Sequence, residues 1–493
     1  MAETTQAMSR VDTAWLRMDT DVNLMMIVGV WLLRPAIRYD AYCERIRDRL
    51  LPYARFRERV ERGTLSSSWV LDEHFDLARH VVVEKLVRPR GQSERAALQQ
   101  RMGDLASVAL DPAHPLWQFH FIPHYDGGTA IICRIHHCIG DGVALNSVMM
   151  SIADDGEHPP KLGRHPDEPH DPHDPHDPQE THLGDWVADE LLRSLTGMAV
   201  KAIDLYGEGL VQSMKALEHP RKTWRGALGL LRNGRHLVGD LAQLALMPND
   251  AKTSLKGHGN GRKVVAWCEP LPLDDVRAVA KALDASINDV LLSCVAGAIG
   301  RYLAERGEDP AGMDIRAMVP VNLRPIEQAW QLGNRFGLLP LMVPVGMANP
   351  VERLAVVRAR MTALKRSYQP LLTYGILSVS GLLIHRGQVA LSKLFLDKTT
   401  AVMTNVPGPR QALSVCGSTL EQSIFWVPSS GDVGMGVSII SYAGGVQFGL
   451  VTDQLLCPEP SRIIDRFGHE FEQLLLLTLM LPWGEPPHTG EAV

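Results

Sequence analysis

Residues 131–145 read Ile-Ile-Cys-Arg-Ile-His-His-Cys-Ile-Gly-Asp-Gly-Val-Ala-Leu and contain the pattern HHxxxDG. An apolar run typical of a strand leads into two histidines, a short turn with a glycine follows, and an apolar run typical of a helix begins after Asp141-Gly142. Catalytic side chains commonly project into a cleft from strand ends and from the loops after them. The stretch therefore predicts a strand–turn–helix unit of an α/β fold and is the strongest indication of chemistry in the chain.

The two adjacent histidines, His136 and His137, are the first catalytic candidates. Neighbouring side chains of a strand point to opposite faces, so the two rings cannot easily share one task, and one must face the site. A histidine can accept a proton near neutral pH when a partner orients its ring. The alternative is purely structural, with two hydrogen-bonded histidines at a strand end.

Asp141 is the third catalytic candidate. Its carboxylate could orient a histidine, hold the loop through a distant arginine, or cap the helix that follows. We favour the last two roles over direct catalysis.

Other reaction types fit this segment less well. A metal site on His137 and Asp141 lacks an evident third ligand, and Cys138 is poorly placed to pair with its sequence neighbour His137 as a nucleophile. The sequence contains no G-x-S-x-G motif of the serine hydrolases. Direct acyl transfer remains, in which His137 removes a proton from an acceptor hydroxyl while that oxygen attacks an activated acyl carbonyl. We expect neither a metal nor a cofactor.

Composition limits the class of protein. The chain has 493 residues, with 50 Lys and Arg against 56 Asp and Glu, a net charge of −6, and 45% hydrophobic residues. This size predicts two or three packed units, or one fold made of two halves. The acidic balance argues against a nucleic-acid partner. Seven cysteines without a CxxC pair, and a start that does not resemble a secretory signal, favour a cytoplasmic protein.

Three segments follow from the pattern along the chain. His-Asp-Pro occurs three times in succession within residues 165–182, which predicts a linker because repeated proline forbids helix and central strand. We expect an N-terminal α/β subdomain over 1–163, a linker and helical crossover over 164–262, and a second α/β subdomain over 263–493. Strands are predicted at 24–33, 129–136, 264–268, 316–321 and 446–451, and helices at 40–51, 273–283 and 287–303.

Apolar segments raise the question of a membrane. Residues 367–384 and 433–452 are uncharged but broken by glycine or proline, so we predict buried or surface-docking segments there and no membrane span. The leucine run 474–481 predicts the buried face of a last helix. Arg221–Arg225, with Trp224 inside it, forms a basic cluster that could dock peripherally on an anionic membrane or a lipid inclusion. The alternative for this cluster is a solvated helix face.

Further short motifs accompany HHxxxDG, namely Val11–Leu16, Pro115–Trp117, Asn288–Val290, Arg316–Val321, Gly333–Asn334 and Thr404–Pro409. Together they resemble the bacterial wax ester synthase/acyl-CoA:diacylglycerol acyltransferase family, within the HHxxxDG superfamily of chloramphenicol acetyltransferase and nonribosomal peptide condensation domains. One departure is Gln118, where many relatives carry Glu.

The resemblance implies an α/β fold of two chloramphenicol-acetyltransferase-like subdomains with mixed sheets, a helical crossover, and a substrate tunnel at their interface. It implies His137 as general base. Gly142, Asn288 at a helix start, and Asn405 in a glycine-proline loop become candidate substrate-binding residues.

The implied partners are acyl-CoA and a long-chain alcohol or diacylglycerol, and the implied products are wax ester or triacylglycerol. Two alternatives stay open: an acyltransferase with another lipid or carrier-bound acceptor, and a non-catalytic lipid-binding or lipid-droplet protein.

Overall fold

The computed structural model describes residues 5–63, 67–156, 247–324, 328, 330–365, 373–374, 398–428 and 433–480. The His-Asp-Pro tract, the basic cluster around Trp224 and most of the predicted crossover lie outside these residues.

The N-terminal half alternates helices and strands, as predicted. The predicted strands 24–33 and 129–136 and the predicted helix 40–51 are confirmed, with ends that shift by one or two residues. Its helices are α1 (Arg10–Arg17), α2 (Tyr39–Arg49), α3 (Leu77–His80), α4 (Glu94–Ala106) and α5 (Gly142–Met150), and its strands are β1 (Gln6–Ala7), β2 (Met26–Arg34), β3 (Glu58–Arg62), β4 (Ser67–Leu71), β5 (Val81–Val83), β6 (Trp117–Tyr125) and β7 (Gly128–His136).

The C-terminal half repeats the alternation, and its predicted strands and helices are likewise confirmed. Residues 435–452 lie in two buried strands, and most of 367–384 lies outside the described residues. The helices are α6 (Leu273–Ala282), α7 (Ile287–Glu305), α8 (Pro350–Lys365) and α9 (Pro460–Leu479), and the strands are β8 (Lys263–Trp267), β9 (Leu271–Pro272), β10 (Ile315–Asn322), β11 (Phe336–Val343), β12 (Ala401–Pro407), β13 (Ser414–Val415), β14 (Ser418–Trp426), β15 (Met435–Tyr442) and β16 (Gly445–Asp453).

Two mixed sheets form the frame. The first has the strand order β13-β14-β2-β7-β6-β5, in which β5 runs parallel to β6 and the other pairs are antiparallel. The second has the order β11-β10-β12-β15-β16-β8, with β9 beside β16 and with β12 parallel to both β10 and β15. β7 lies inside the first sheet and every residue of it is buried, which explains its unbroken apolar sequence up to the histidines.

The two halves share strands across the predicted boundary at residue 263. Strands β13 and β14 belong to the C-terminal half by sequence, yet β14 pairs with β2 and so extends the N-terminal sheet. An apolar layer that includes Ile132 from β7 and Trp426 from β14 also joins the halves. The two halves therefore share one sheet and cannot be separated cleanly in sequence.

Helix α7 is the buried helix of the C-terminal half. Its start is fixed by a capping box, in which Ser286 accepts from the main chain of Asp289 and the Asp289 side chain accepts from the main chain of Ser286. Among the described residues it is the one helix long and apolar enough to cross a membrane, with a mean hydropathy of 1.2. Because 83% of that window is buried inside the protein, its apolar character is explained by its place in the core.

Candidate active site

The end of β7 is tied to both neighbouring strands. The main-chain N–H of His136 donates to Leu116 O at 2.9 Å, and that of His137 donates to Met25 O at 2.7 Å. Ile139 N–H then donates back to His136 O at 3.0 Å and closes the turn. These bonds deliver the His137 side chain just beyond the sheet, where the chain turns towards α5.

His137 is buried and held on three sides. Its Nδ1 lies 2.8 Å from Asn334 Oδ1, and its ring stacks on Trp15 with a centroid distance of 4.2 Å and an interplanar angle of 13°. Phe336 packs against it at 5.7 Å. Burial lowers the pKa of His137 to about 4, against the opposing effect of the Asp141 carboxylate, so the ring is neutral at pH 7.

Asn334 joins His137 to the start of the chain. Its side-chain Nδ2 donates to Asp12 Oδ1 and to the main-chain oxygen of His137, both at 2.8 Å. Asp12 is fully buried, and its Oδ2 accepts from Arg55 Nη1 at 3.0 Å. Arg55 also donates to Ile139 O in the histidine turn, so residues from three distant stretches of sequence fix this ring.

Asp141 performs the two roles that the sequence favoured. Its Oδ1 accepts from Ala144 N at 2.9 Å and caps α5, and its Oδ2 accepts from Arg335 N at 3.0 Å. Arg324 forms an ion pair with the same Oδ2 at 3.2 Å and also donates to Gly333 O. Asp141 is therefore a positioning residue that fastens the turn to the C-terminal half.

A close main-chain approach reinforces that junction. Gly140 forms an isolated parallel bridge with Gly333, with Asp141 N donating to Gly333 O and Gly333 N donating to Ile139 O. Gly333 has φ +112°, a conformation that other residues rarely adopt. This glycine places the next residue, Asn334, against His137.

His136 occupies a different environment from its neighbour. Its Nδ1 accepts from Cys138 N at 3.1 Å, and its Nε2 lies 3.4 Å from Asp19 Oδ2. Asp19 in turn accepts from Met25 N at 2.6 Å. His136 thus braces the turn, whereas His137 contacts Asn334.

The candidate substrate-binding residues are brought together in part. Asn288 and Asn405 hydrogen bond to each other side chain to side chain. The placement of Asn405 in a loop was wrong, because Asn405 lies within β12. Asn288 is the second residue of α7, whose cap is Ser286.

Gly142, the first residue of α5, has room for a small side chain. A Cβ added there would have Val406 Cγ2 as its nearest neighbour, at 4.0 Å. Val406 follows Asn405 on β12, so the start of α5 faces the strand that carries one of the two asparagines.

The Pro-Leu-Trp motif anchors the core. Trp117 is buried, and its indole Nε1 donates to Phe56 O at 2.9 Å. Gln118 Oε1 accepts from Arg134 Nη1 at 3.0 Å. Neither contact involves His137.

The described part of the chain contains no group of three or more His, Cys, Asp or Glu side chains arranged to hold a metal ion. Asp12, Trp15 and Asn334 lie in the short motifs of the sequence, but their roles beside His137 were not predicted. The sequence offers a signal for two of them: Asp12 is an acidic residue within an apolar helical segment, and Asn334 directly follows a glycine.

Comparisons with known proteins agree with this geometry. The family model of the wax ester synthase/diacylglycerol acyltransferase catalytic domain matches residues 8–291, and that of the WS/DGAT C-terminal domain matches residues 332–475. A probable diacylglycerol O-acyltransferase of Mycobacterium tuberculosis is 25% identical over 458 residues, 90% of each chain. A putative diacylglycerol O-acyltransferase of Mycobacterium bovis is 28% identical over 442 residues, 87% of this chain and 81% of the relative.

Solved structures show the same fold. The wax ester synthase/diacylglycerol acyltransferase from Marinobacter aquaeolei VT8 aligns with a TM-score of 0.61 at 21% identity, over 96% of this chain and all of that one (100%). The first condensation domain of the calcium-dependent antibiotic synthetase aligns with a TM-score of 0.56 at 12% identity, over 97% of each chain. The predicted fold class is thereby confirmed, and the chain belongs to the wax ester synthase/diacylglycerol acyltransferase family.

Proposed function

We propose that this acyltransferase moves a long-chain acyl group from acyl-CoA to the hydroxyl of a diacylglycerol or a fatty alcohol, with His137 as the general base. The observation that carries the proposal is the state of His137. The ring is neutral because it is buried, and its Nδ1 is occupied by Asn334. Nε2 is therefore the nitrogen that remains to accept a proton.

The chemistry needs no covalent enzyme intermediate. The acceptor oxygen attacks the thioester carbonyl while Nε2 of His137 removes its proton, which gives a tetrahedral oxyanion. That intermediate collapses, the carbon–sulfur bond breaks, and the proton on Nε2 passes to the departing thiolate of CoA. Asp141 favours the imidazolium that forms in between, since its carboxylate acts to raise the pKa of His137.

We place the reacting groups at the junction of the two halves, in a tunnel between them. The room for a side chain at Gly142 supports this position, because Gly142 directly follows the turn that carries His137. Asn288 and Asn405, joined by their hydrogen bond, supply amide groups near the same strand. A buried site also suits a thioester, which must be kept from water.

We further propose that the protein contacts a lipid surface peripherally, on the cytoplasmic side, through the end of α9. The leucine run there was predicted to be buried, but only its first residues are: Leu474 is buried, whereas Leu476, Leu479 and Met480 are 61%, 54% and 82% exposed. Large apolar side chains grouped at one helix end are typical of a docking surface.

Vesicle binding tests this surface. Co-sedimentation with phosphatidylglycerol vesicles should fall when Leu476, Leu479 and Met480 are all changed to Ser. A matched triple variant of exposed apolar residues elsewhere, Val87, Val108 and Leu455 to Ser, should bind as the wild type does. Equal binding by both triple variants would refute docking through α9.

The test of the activity is acceptor-dependent thiol release. Purified protein is incubated with palmitoyl-CoA and either hexadecanol or dipalmitoylglycerol, and the release of free thiol is measured. The lipid products are then extracted and identified by mass spectrometry. We expect release only with an acceptor, together with palmityl palmitate or tripalmitoylglycerol. Release without either acceptor product would contradict the proposal, and no release with either acceptor would move it to another acceptor or to a lipid-binding role.

A further inference from the structure

We infer that Asp12 selects the tautomer of His137 through the side-chain amide of Asn334; this inference depends on the proposed role of His137 as a base. Asp12 does not touch the ring. It is 322 residues away from Asn334 in sequence and meets it only because α1 packs against the junction of the two halves. Asp12 and Asn334 are therefore positioning residues.

The orientation of the amide follows from its neighbours. Asp12 Oδ1 and the main-chain oxygen of His137 both lie 2.8 Å from one end of the Asn334 amide, and both can only accept hydrogen bonds. The NH₂ group must occupy that end. The amide oxygen then faces His137 Nδ1 at 2.8 Å, so Nδ1 must carry the proton and Nε2 the lone pair.

Asp12 is built to hold this arrangement. Its Oδ1 accepts from the main-chain N–H of Asn334 at 3.0 Å as well as from the side chain, and its Oδ2 accepts from Arg55 at 3.0 Å. It also lies in the first turn of α1, where the helix end favours negative charge, and its own N–H is bound by Ser9 Oγ. Hydrogen bonds to a charged acceptor are stronger than neutral ones, which fixes the amide firmly.

Asparagine at position 12 cannot do the same work. Its side chain has one acceptor oxygen, whereas donors face the native carboxylate on two sides, from Asn334 and from Arg55. If its oxygen turns to Arg55, its NH₂ opposes the NH₂ of Asn334. The Asn334 amide is then held only by the main-chain oxygen of His137, and it can turn, present NH₂ to Nδ1 and shift the proton of His137 to Nε2, where it blocks the base.

The kinetic test is the variant Asp12→Asn. We expect kcat to fall about 10- to 100-fold, the range of one charge-assisted hydrogen bond, while KM for palmitoyl-CoA stays within about twofold. The control is Asp126→Asn, an exposed aspartate paired with Arg34, which should keep wild-type kinetics.

The spectroscopic test does not depend on activity. The full chain is labelled with ¹⁵N-histidine, and the signals of His137 are assigned by their loss in His137→Ala. We expect the wild-type ring to be protonated at Nδ1 and the Asp12→Asn ring to gain protonation at Nε2. A wild-type ring protonated at Nε2 would overturn the inference, as would a folded Asp12→Asn protein with reduced kcat and an unchanged ring spectrum.

If the wild type shows no acyl transfer with any acceptor, the proposed function is refuted, but the tautomer of His137 is not thereby decided. The ring spectra still decide whether Asp12 sets the tautomer.

Discussion

Two buried polar clusters in this protein serve different ends. In the helix cluster, Glu470 is fully buried on α9 and forms ion pairs with Arg353 of α8 and Arg301 of α7, so three helices of one half satisfy one another's charges. In the junction cluster, Asp12, Asn334 and Asp141 come from both halves and surround one neutral imidazole.

The difference teaches how to separate a structural charge from a functional one. Arg353 uses its remaining N–H groups on the main chain, at Ser293 O and Met347 O, so the helix cluster closes on itself. The junction cluster instead orients a ring, and the proposed mechanism uses the ring nitrogen that Asn334 does not bind. A buried charge alone does not indicate a functional site. A better indication is a titratable side chain that is fixed by hydrogen bonds on one atom and keeps another polar atom without a protein partner.

The largest effects on stability should come from neutralising one carboxylate in each cluster, Glu470 in the helix cluster and Asp141 in the junction cluster. Glu470→Gln leaves Arg353 buried beside a neutral amide and should cost about 3–5 kcal/mol of unfolding free energy, with kcat of the folded protein unchanged. Asp141→Asn should destabilise less but lower kcat, because it loosens the histidine turn. Urea unfolding and initial rates on both variants measure the two effects. A loss of kcat in folded Glu470→Gln would remove the distinction between the clusters.

The pH dependence of stability tests the junction cluster separately, because that cluster contains a buried neutral histidine. Burial lowers the pKa of His137 to about 4, and that of His120 likewise to about 4, against about 6.5 for unfolded histidine. Between pH 4 and 6.5 the unfolded chain binds more protons, so stability is lost as the pH falls through this window. Urea unfolding at pH 7 and pH 5 measures the loss.

The contribution of His137 to that loss is separable. His137→Gln removes one of the buried rings whose pKa is lowered and should reduce the difference in stability between pH 7 and pH 5. His124→Gln, at an exposed position, should leave it as in the wild type. An identical pH dependence in both variants would mean that the His137 ring is not desolvated.

A smaller effect is expected at the asparagine pair beside the junction. Removal of either partner by Asn288→Ala or Asn405→Ala leaves a buried or half-buried amide without its bond and should cost about 1–3 kcal/mol. Because the two residues serve one bond, the double variant should cost less than the sum of the single changes. Additive costs, measured by urea unfolding, would show that the pair does not act as a unit.

The smallest effect should come from Gly142→Ala. The added Cβ meets no atom closer than 4.0 Å, and alanine is the better helix former, so stability should rise by less than about 1 kcal/mol. Gly142→Trp, which fills the same space, should instead raise KM for the lipid acceptor. Unchanged KM in the tryptophan variant would show that substrate does not pass Gly142.

Much of this architecture could be predicted from the sequence, because local pattern determines it. The unbroken apolar run of β7 ends at His136-His137, and Asp141 precedes an apolar helix, so the strand, the turn and the cap were all evident. The prediction of a buried face at 474–481 was wrong for Leu476, Leu479 and Met480, because α9 extends beyond the core after Leu474.

The contacts that complete the site could not be predicted, because they are long-range. Asn334 lies 197 residues from His137 and 322 from Asp12, and no local pattern reports such a meeting. The same holds for β14, whose pairing with β2 mixes the halves. Asn405 was misplaced because the proline and glycine after it suggested a loop, while β12 continues to Pro407.

The most direct test of the central claim compares the two adjacent histidines. Initial rates of acceptor-dependent thiol release from palmitoyl-CoA are measured for His137→Gln and His136→Gln, with folding checked by circular dichroism. General-base catalysis contributes about 10²–10⁴-fold, so we predict a loss of kcat of that size in His137→Gln and a much smaller loss in folded His136→Gln. A His137→Gln enzyme with kcat within about threefold of the wild type would contradict the account.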